Sequence, residues 1–129
     1  KRVEILNQSG VVLAISIHQN SFTQESSHGA QVFYYTSSKD GKRLANIMQL
    51  QLKKTIADDN HRIEKSNDSY YLLKKSNCPI IIVECGFLSN HKEAELLTKE
   101  DYQRKLAWAI HLGVIKYMNT SNETKAFLN

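Results

Sequence analysis

Residues Ile80 to Val83 are four consecutive β-branched residues, and Glu84 closes the run. Stiff, branched side chains at every position, rather than at alternate ones, predict a strand buried on both faces. Such a strand needs neighbours within its sheet and cover above and below it. A second run, Val11-Val12-Leu13-Ala14-Ile15-Ser16-Ile17, has the same character and ends in His18. It too reads as a central strand. With 129 residues the chain suffices for one domain built around such a core, with little margin beyond it.

The intervening segments supply the cover. Leu44, Met48, Leu52 and Ile56 recur every four residues within a helix expected over 41–57. Tyr102, Leu106, Ile110, Val114 and Tyr117 form one apolar face of a last helix capped by Thr98. Asn90 and Glu93 are spaced as a helix cap and its third residue, opening a short helix to Leu97. Gln31–Tyr35 and Tyr70–Leu73 read as further strands, with Asn67-Asp68-Ser69 a turn before the second. Arg2–Leu6 reads as the last turns of a helix stopped by Asn7-Gln8-Ser9-Gly10. No start signal precedes it, so the chain is expected to begin inside an element of a longer domain. The polar stretch from Thr120 to Asn129 is expected to fray. Strands alternating with helices predict an α/β fold: a mostly parallel sheet with helices on both faces.

Composition narrows the function classes. Apolar residues make up 41%, which is globular rather than disordered. No apolar run approaches the roughly 20 residues of a membrane span. The net charge of +4 suits an anionic partner such as a cell-wall polymer and is too diffuse for nucleic acid. The two cysteines, Cys78 and Cys85, flank the strand 80–84. Extended, they stand roughly 23 Å apart at about 3.3 Å per residue. A disulfide needs Cα atoms within about 7 Å, so they are not partners. They also lack a Cys-x-x-Cys spacing, so any metal must use histidine and carboxylate ligands.

In α/β sheets ligands bind beyond the carboxyl ends of the strands. Two reactive residues fall there. Burial at the lip of an apolar strand raises a carboxylate's pKa toward general-base duty, which makes Glu84 the stronger candidate. A salt bridge to a lysine or arginine is its structural alternative. An imidazole at a strand end, His18, suits a zinc ligand or a simple hydrogen-bonded histidine. His28, His61, His91 and His111 lie in polar loops or on helices and carry weaker signals.

The segments Ser16-Ile17-His18-Gln19-Asn20, Gly29-Ala30-Gln31-Val32-Phe33-Tyr34 and Val83-Glu84-Cys85-Gly86-Phe87-Leu88-Ser89-Asn90 resemble the zinc-dependent N-acetylmuramoyl-L-alanine amidases of the amidase-3 family. The resemblance runs from Arg2 to about Met118, giving a catalytic domain over 1–118 that lacks its first strands and a polar tail over 119–129. The short form is most like the germination-specific spore-cortex amidases. The resemblance implies a peptidoglycan hydrolase that cleaves the amide between N-acetylmuramic acid and L-alanine by zinc-activated water. It implies His18 as a zinc ligand and Glu84 as the catalytic carboxylate, with Asn20 and Arg62 as candidates for contacting the peptide stem. It implies action outside the cytoplasm, at the cell wall or spore cortex. The family's other two zinc ligands lie before the segment that matches Arg2, so an upstream segment or a partner chain is expected to complete the metal site. The alternative is a non-catalytic wall-binding or regulatory module that has lost its metal.

Overall fold

The computed structural model describes the backbone of residues 1–8 and 10–128, and the side-chain surroundings of 1–8 and 10–120. The elements follow in the order α1 (Arg2–Gln8), β1 (Ala14–Asn20), β2 (Gln31–Tyr35), α2 (Lys39–Ile56), β3 (Lys65–Asn67), α3 (Tyr71–Lys75), β4 (Ile80–Phe87), α4 (His91–Leu97) and α5 (Glu100–Leu128). The four strands form one sheet in the order β1-β4-β2-β3.

The fold is α/β, as expected, but the sheet is mixed rather than mostly parallel. β4 runs parallel to β1 and antiparallel to β2, and β2 runs parallel to β3. The cause is the connection after β1. Residues 21–30 contain no helix, so they deliver β2 at the edge where β1 ended and send it back the other way. From there α2 carries the chain up again to start β3, and α3 leads into β4 from below. Three connections therefore gather at the carboxyl ends of β1 and β4: residues 21–30, 57–64 and 88–90.

β4 is buried along its whole length, as its composition requires. One sheet face packs Ile81, Val83 and Cys85 against Leu44, Met48 and Leu52 of α2 and Leu106, Ala109 and Tyr117 of α5. The Arg43 guanidinium lies 4.3 Å from the Tyr117 ring centre and ties the two helices across their open side. The other face is thinner. There Ile80 and Ile82 meet Leu73 of α3, with Leu6 of α1 and Phe33 of β2 alongside.

Three sequence expectations are corrected. Tyr70–Leu73 is not a strand: Tyr71–Lys75 is a single helical turn that buries Leu73 and leaves Tyr71 outside. The missing strand is instead the polar Lys65–Asn67, which gives no hydrophobic signal because it lies at the sheet edge. The run 11–17 is not central among the described residues. β1 has one hydrogen-bonded neighbour, and Ile17 is 58% exposed. An apolar run reports how much cover a strand suits, not which neighbour provides it. The helix expected to end near Tyr117 continues as α5 to Leu128, while the side chains of the polar stretch beyond Thr120 lie outside the described residues.

Candidate active site

The parallel register sets His18 of β1 directly beside Glu84 of β4, and the antiparallel register sets Gln31 of β2 on its other side. Residues at matched register share a sheet face, with strands about 4.8 Å apart. Alternation from Ile80 and Ile82 puts this row on the thinly covered face, just beyond its apolar cluster. The two residues singled out from sequence are therefore brought together. Gln31 joins them, and no sequence signal could mark it without the strand order.

Glu84 is 6% exposed. Its Oε2 is buried without a hydrogen-bond partner, alone in this among the described residues. Loss of solvent pushes the carboxyl above its ordinary pKa, and the His18 imidazole partly offsets that. Among the described residues no lysine or arginine is paired with it, so nothing there supports the salt-bridge alternative. Ser16 Oγ lies 2.8 Å from His18 Nε2 and fixes the ring's orientation. A carboxyl held ready to accept a proton, beside an oriented imidazole, can run acid–base chemistry on a bound amide or water.

Both ladders change at Glu84: the one to β1 becomes irregular and the one to β2 ends. On the β1 side Asn20 pairs with Phe87, so β4 carries one extra residue after the His18–Glu84 pair. On the β2 side Gln31 opposite Glu84 is the last matched position. Bulges of this kind re-aim side chains at sheet rims.

The loops above the row are stitched together. Leu88 donates its amide to Asn20 O at 2.7 Å, Phe22 donates its amide to Ser89 Oγ at 3.0 Å, and Asn90 Nδ2 donates to Glu25 O at 3.1 Å. Asn20 spends its side-chain oxygen on the Ser21 amide. Arg62 Nε donates to His28 O at 2.7 Å and Nη1 to Gln31 Oε1 at 3.1 Å, while its guanidinium stacks 4.7 Å from the Phe87 ring centre. Arg62 thus reaches the Glu84 row through Gln31. Beside it opens a polar cleft of 340 Å³ between residues 24–28 and 59–62. His28 and His61 line that cleft, whereas His91 lines a neighbouring one and His111 packs its ring against Trp108 on the outside of α5.

The cysteines behave as expected. Both are free, and burial pushes the Cys85 thiol up to about 11. Among the described residues no group of three histidine, cysteine, aspartate or glutamate side chains stands close enough to hold a metal ion. Catalytic zinc takes three protein ligands. His18 and Glu84 alone do not make such a site.

A desolvated carboxylate thus stands beside an imidazole at the strand ends of an α/β sheet, under a rim of polar loops, where such sheets bind ligands. Comparison with known proteins makes this specific. Residues 1–116 match the N-acetylmuramoyl-L-alanine amidase family, amidase-3, and the chain belongs to it. It is 32% identical over 123 residues to the germination-specific N-acetylmuramoyl-L-alanine amidase of Bacillus subtilis, covering 95% of this chain and 52% of that protein. Among solved structures, the CwlD amidase from Clostridioides difficile in complex with the GerS lipoprotein is 45% identical with a TM-score of 0.90, covering 92% of this chain and 60% of that one. An N-acetylmuramoyl-L-alanine amidase from Clostridium difficile 630 is 30% identical with a TM-score of 0.86, covering 92% and 63%. The chain spans about half the length of the B. subtilis relative.

Proposed function

We propose that this chain carries the acid–base part of a peptidoglycan amidase centre, cleaving the bond between N-acetylmuramic acid and L-alanine. One observation carries the reading: the buried, unpartnered Oε2 of Glu84 beside His18. An unpaired carboxylate at such a place costs stability, and general-base duty is a reason to keep it. Glu84 takes a proton from the attacking water and returns it to the departing alanine nitrogen, which would otherwise leave as an amide anion. The scissile carbonyl is that of the lactyl group on the muramic acid. Arg62 lines the polar cleft, where a stem peptide would meet it, and Asn20, at the end of β1, is the second candidate contact. A guanidinium suits the stem's carboxylates.

Zinc is the family's implied cofactor, and the described residues do not complete a site for it. His18 is one ligand in this reading, with the remaining two supplied by an upstream segment or a partner chain. Residues 1–118 are the catalytic part, followed by a polar tail over 119–129. The similarity to a germination-specific amidase supports action outside the cytoplasm, at the cell wall or spore cortex. No helix among the described residues is long and apolar enough to cross a membrane.

The test is Glu84→Gln in the complete amidase, assayed by mass spectrometry of digested peptidoglycan. Turnover should fall by about 10²–10⁴-fold, the ordinary worth of a positioned acid–base group. Metal content should be unchanged. Turnover within a few-fold of wild type would show that Glu84 is not the base.

A further inference from the structure

Asn90 and Glu93 form the helix cap and third residue that their spacing suggests. A carboxylate at that third position can reach back to the cap's own amide, but here it does not. Asn90 Oδ1 accepts from the Glu93 amide at 3.0 Å, but the Glu93 carboxylate turns away from the helix it opens. Its Oε1 accepts from the Phe87 amide at 2.7 Å and its Oε2 from the Gly29 amide at 2.6 Å. One amide closes β4 and the other lies in the loop that leads into β2, at the end of the β2–β4 ladder. Phe87 ends β4, three residues beyond Glu84, and Gly29 stands two residues before Gln31, the residue opposite Glu84. The carboxylate therefore sits in the fork where the strands part and takes one backbone donor from each arm.

The backbone makes room for it. A Cβ at Gly86 would lie 2.8 Å from Glu93 Oε1, too close for any real side chain. Gly29 adopts a φ of +95°, the left-handed region that glycine tolerates, and so aims its amide at the carboxylate. Two charge-assisted hydrogen bonds to backbone are among the stronger ties available in a protein. Without them β4 beyond Glu84 would be held by one irregular ladder to β1 and, toward β2, by the stacking of Arg62 on Phe87.

The geometry points to Glu93 as a positioning residue for Glu84: by clamping the parting ends of β2 and β4 it fixes where the catalytic carboxylate stands. This rests on the acid–base reading of Glu84 given above. Glu93 touches no reacting atom in this role. Its loss should lower turnover rather than substrate affinity, because the rim loops that would hold the substrate keep their other ties.

The experiment uses the complete amidase with Glu93→Gln, which keeps the length of the side chain and one acceptor oxygen but turns a donor toward the second amide. Turnover per folded molecule should fall at least about tenfold with KM within about twofold, since small misplacements of a reacting group are costly. Amide hydrogen exchange at Gly29 and Phe87 should accelerate while exchange at Ile81 and Val83 stays slow. Should Glu93→Gln fold poorly, Glu93→Asp retains the charge and the Asn90 cap but is too short to span both amides, and should show the same split. A lower melting temperature with unchanged kcat, or unchanged exchange at Gly29 and Phe87, overturns the proposal. Glu84→Gln is measured alongside. If it still turns over, the acid–base reading falls and the positioning role with it. If Glu84→Gln is inactive beside an undiminished Glu93→Gln, the positioning role falls alone.

Discussion

Glu84 destabilises the folded protein whenever it is ionised, because burial denies its Oε2 any partner. Burial raises its carboxyl above its ordinary value in the fold, with the His18 imidazole partly offsetting this, whereas in the unfolded chain neither effect acts. A raised group contributes stability that is fully present below its unfolded pKa and is lost as pH rises through the folded one. Replacing it with glutamine removes that dependence. Thermal melts should therefore show Glu84→Gln and wild type close together near pH 4.5, with the variant gaining stability relative to wild type by pH 8. A constant difference across that range would mean that the carboxyl finds a partner in solution. At this scale the sequence was informative where a residue broke a pattern: Glu84 and His18 each interrupt an apolar run, and both fall in one row. Gln31 and Glu93 break no pattern, being polar residues in polar surroundings along the chain. Their roles come from strand register and from a turn that brings residues 29, 87 and 93 together, which no local spacing encodes.

Elements were legible in proportion to how much apolar surface they bury. The strand 80–84 and the helices α2 and α5 announce themselves, whereas β3 is three polar residues and α3 is one turn whose apolar stretch is too short for periodicity to tell a helix from a strand. Strand direction was illegible because a run of branched residues reads the same in either sense. It is the helix-free connection 21–30 that reverses β2. The start of β2 has a further support that the periodicity of α2 conceals. Gln49 lies on the buried face of that helix at 3% exposure, among leucines and methionine. Its Oε1 accepts from the Val32 amide at 2.8 Å and its Nε2 donates to Ala30 O at 3.0 Å. The side chain stands in for a ladder partner where β3, which first pairs at Phe33, does not yet reach. Gln49→Leu keeps the volume and strands the buried Val32 amide, worth about 1–3 kcal/mol when unpaired, while Ala30 O keeps its bond from Asn60 Nδ2. Urea denaturation should accordingly register a loss of about 1–3 kcal/mol. A loss well under 1 kcal/mol would mean that water replaces the amide.

The whole molecule is asymmetric about its sheet. One face lies under two long helices, and the other has only short ones, so the Glu84 row occupies the side with less cover. β1 adds a second asymmetry, since its outer edge is unpaired among the described residues and Ile17 stands exposed beside it. An open, partly apolar edge invites another strand. The order of strands also has a consequence in time. β2, α2 and β3 are consecutive in the chain and pair locally, whereas the pairing of β1 with β4 must wait for residues 18 and 84 to meet across nearly everything between them. Closing so long a loop is slow, because its entropy is lost before the contacts that compensate it are made. Pulse-labelled exchange during refolding should protect β2 and α2 first and β1 last. The pairing of His18 with Glu84 would then be the final feature the chain acquires, arriving only after most of its secondary structure is already in place.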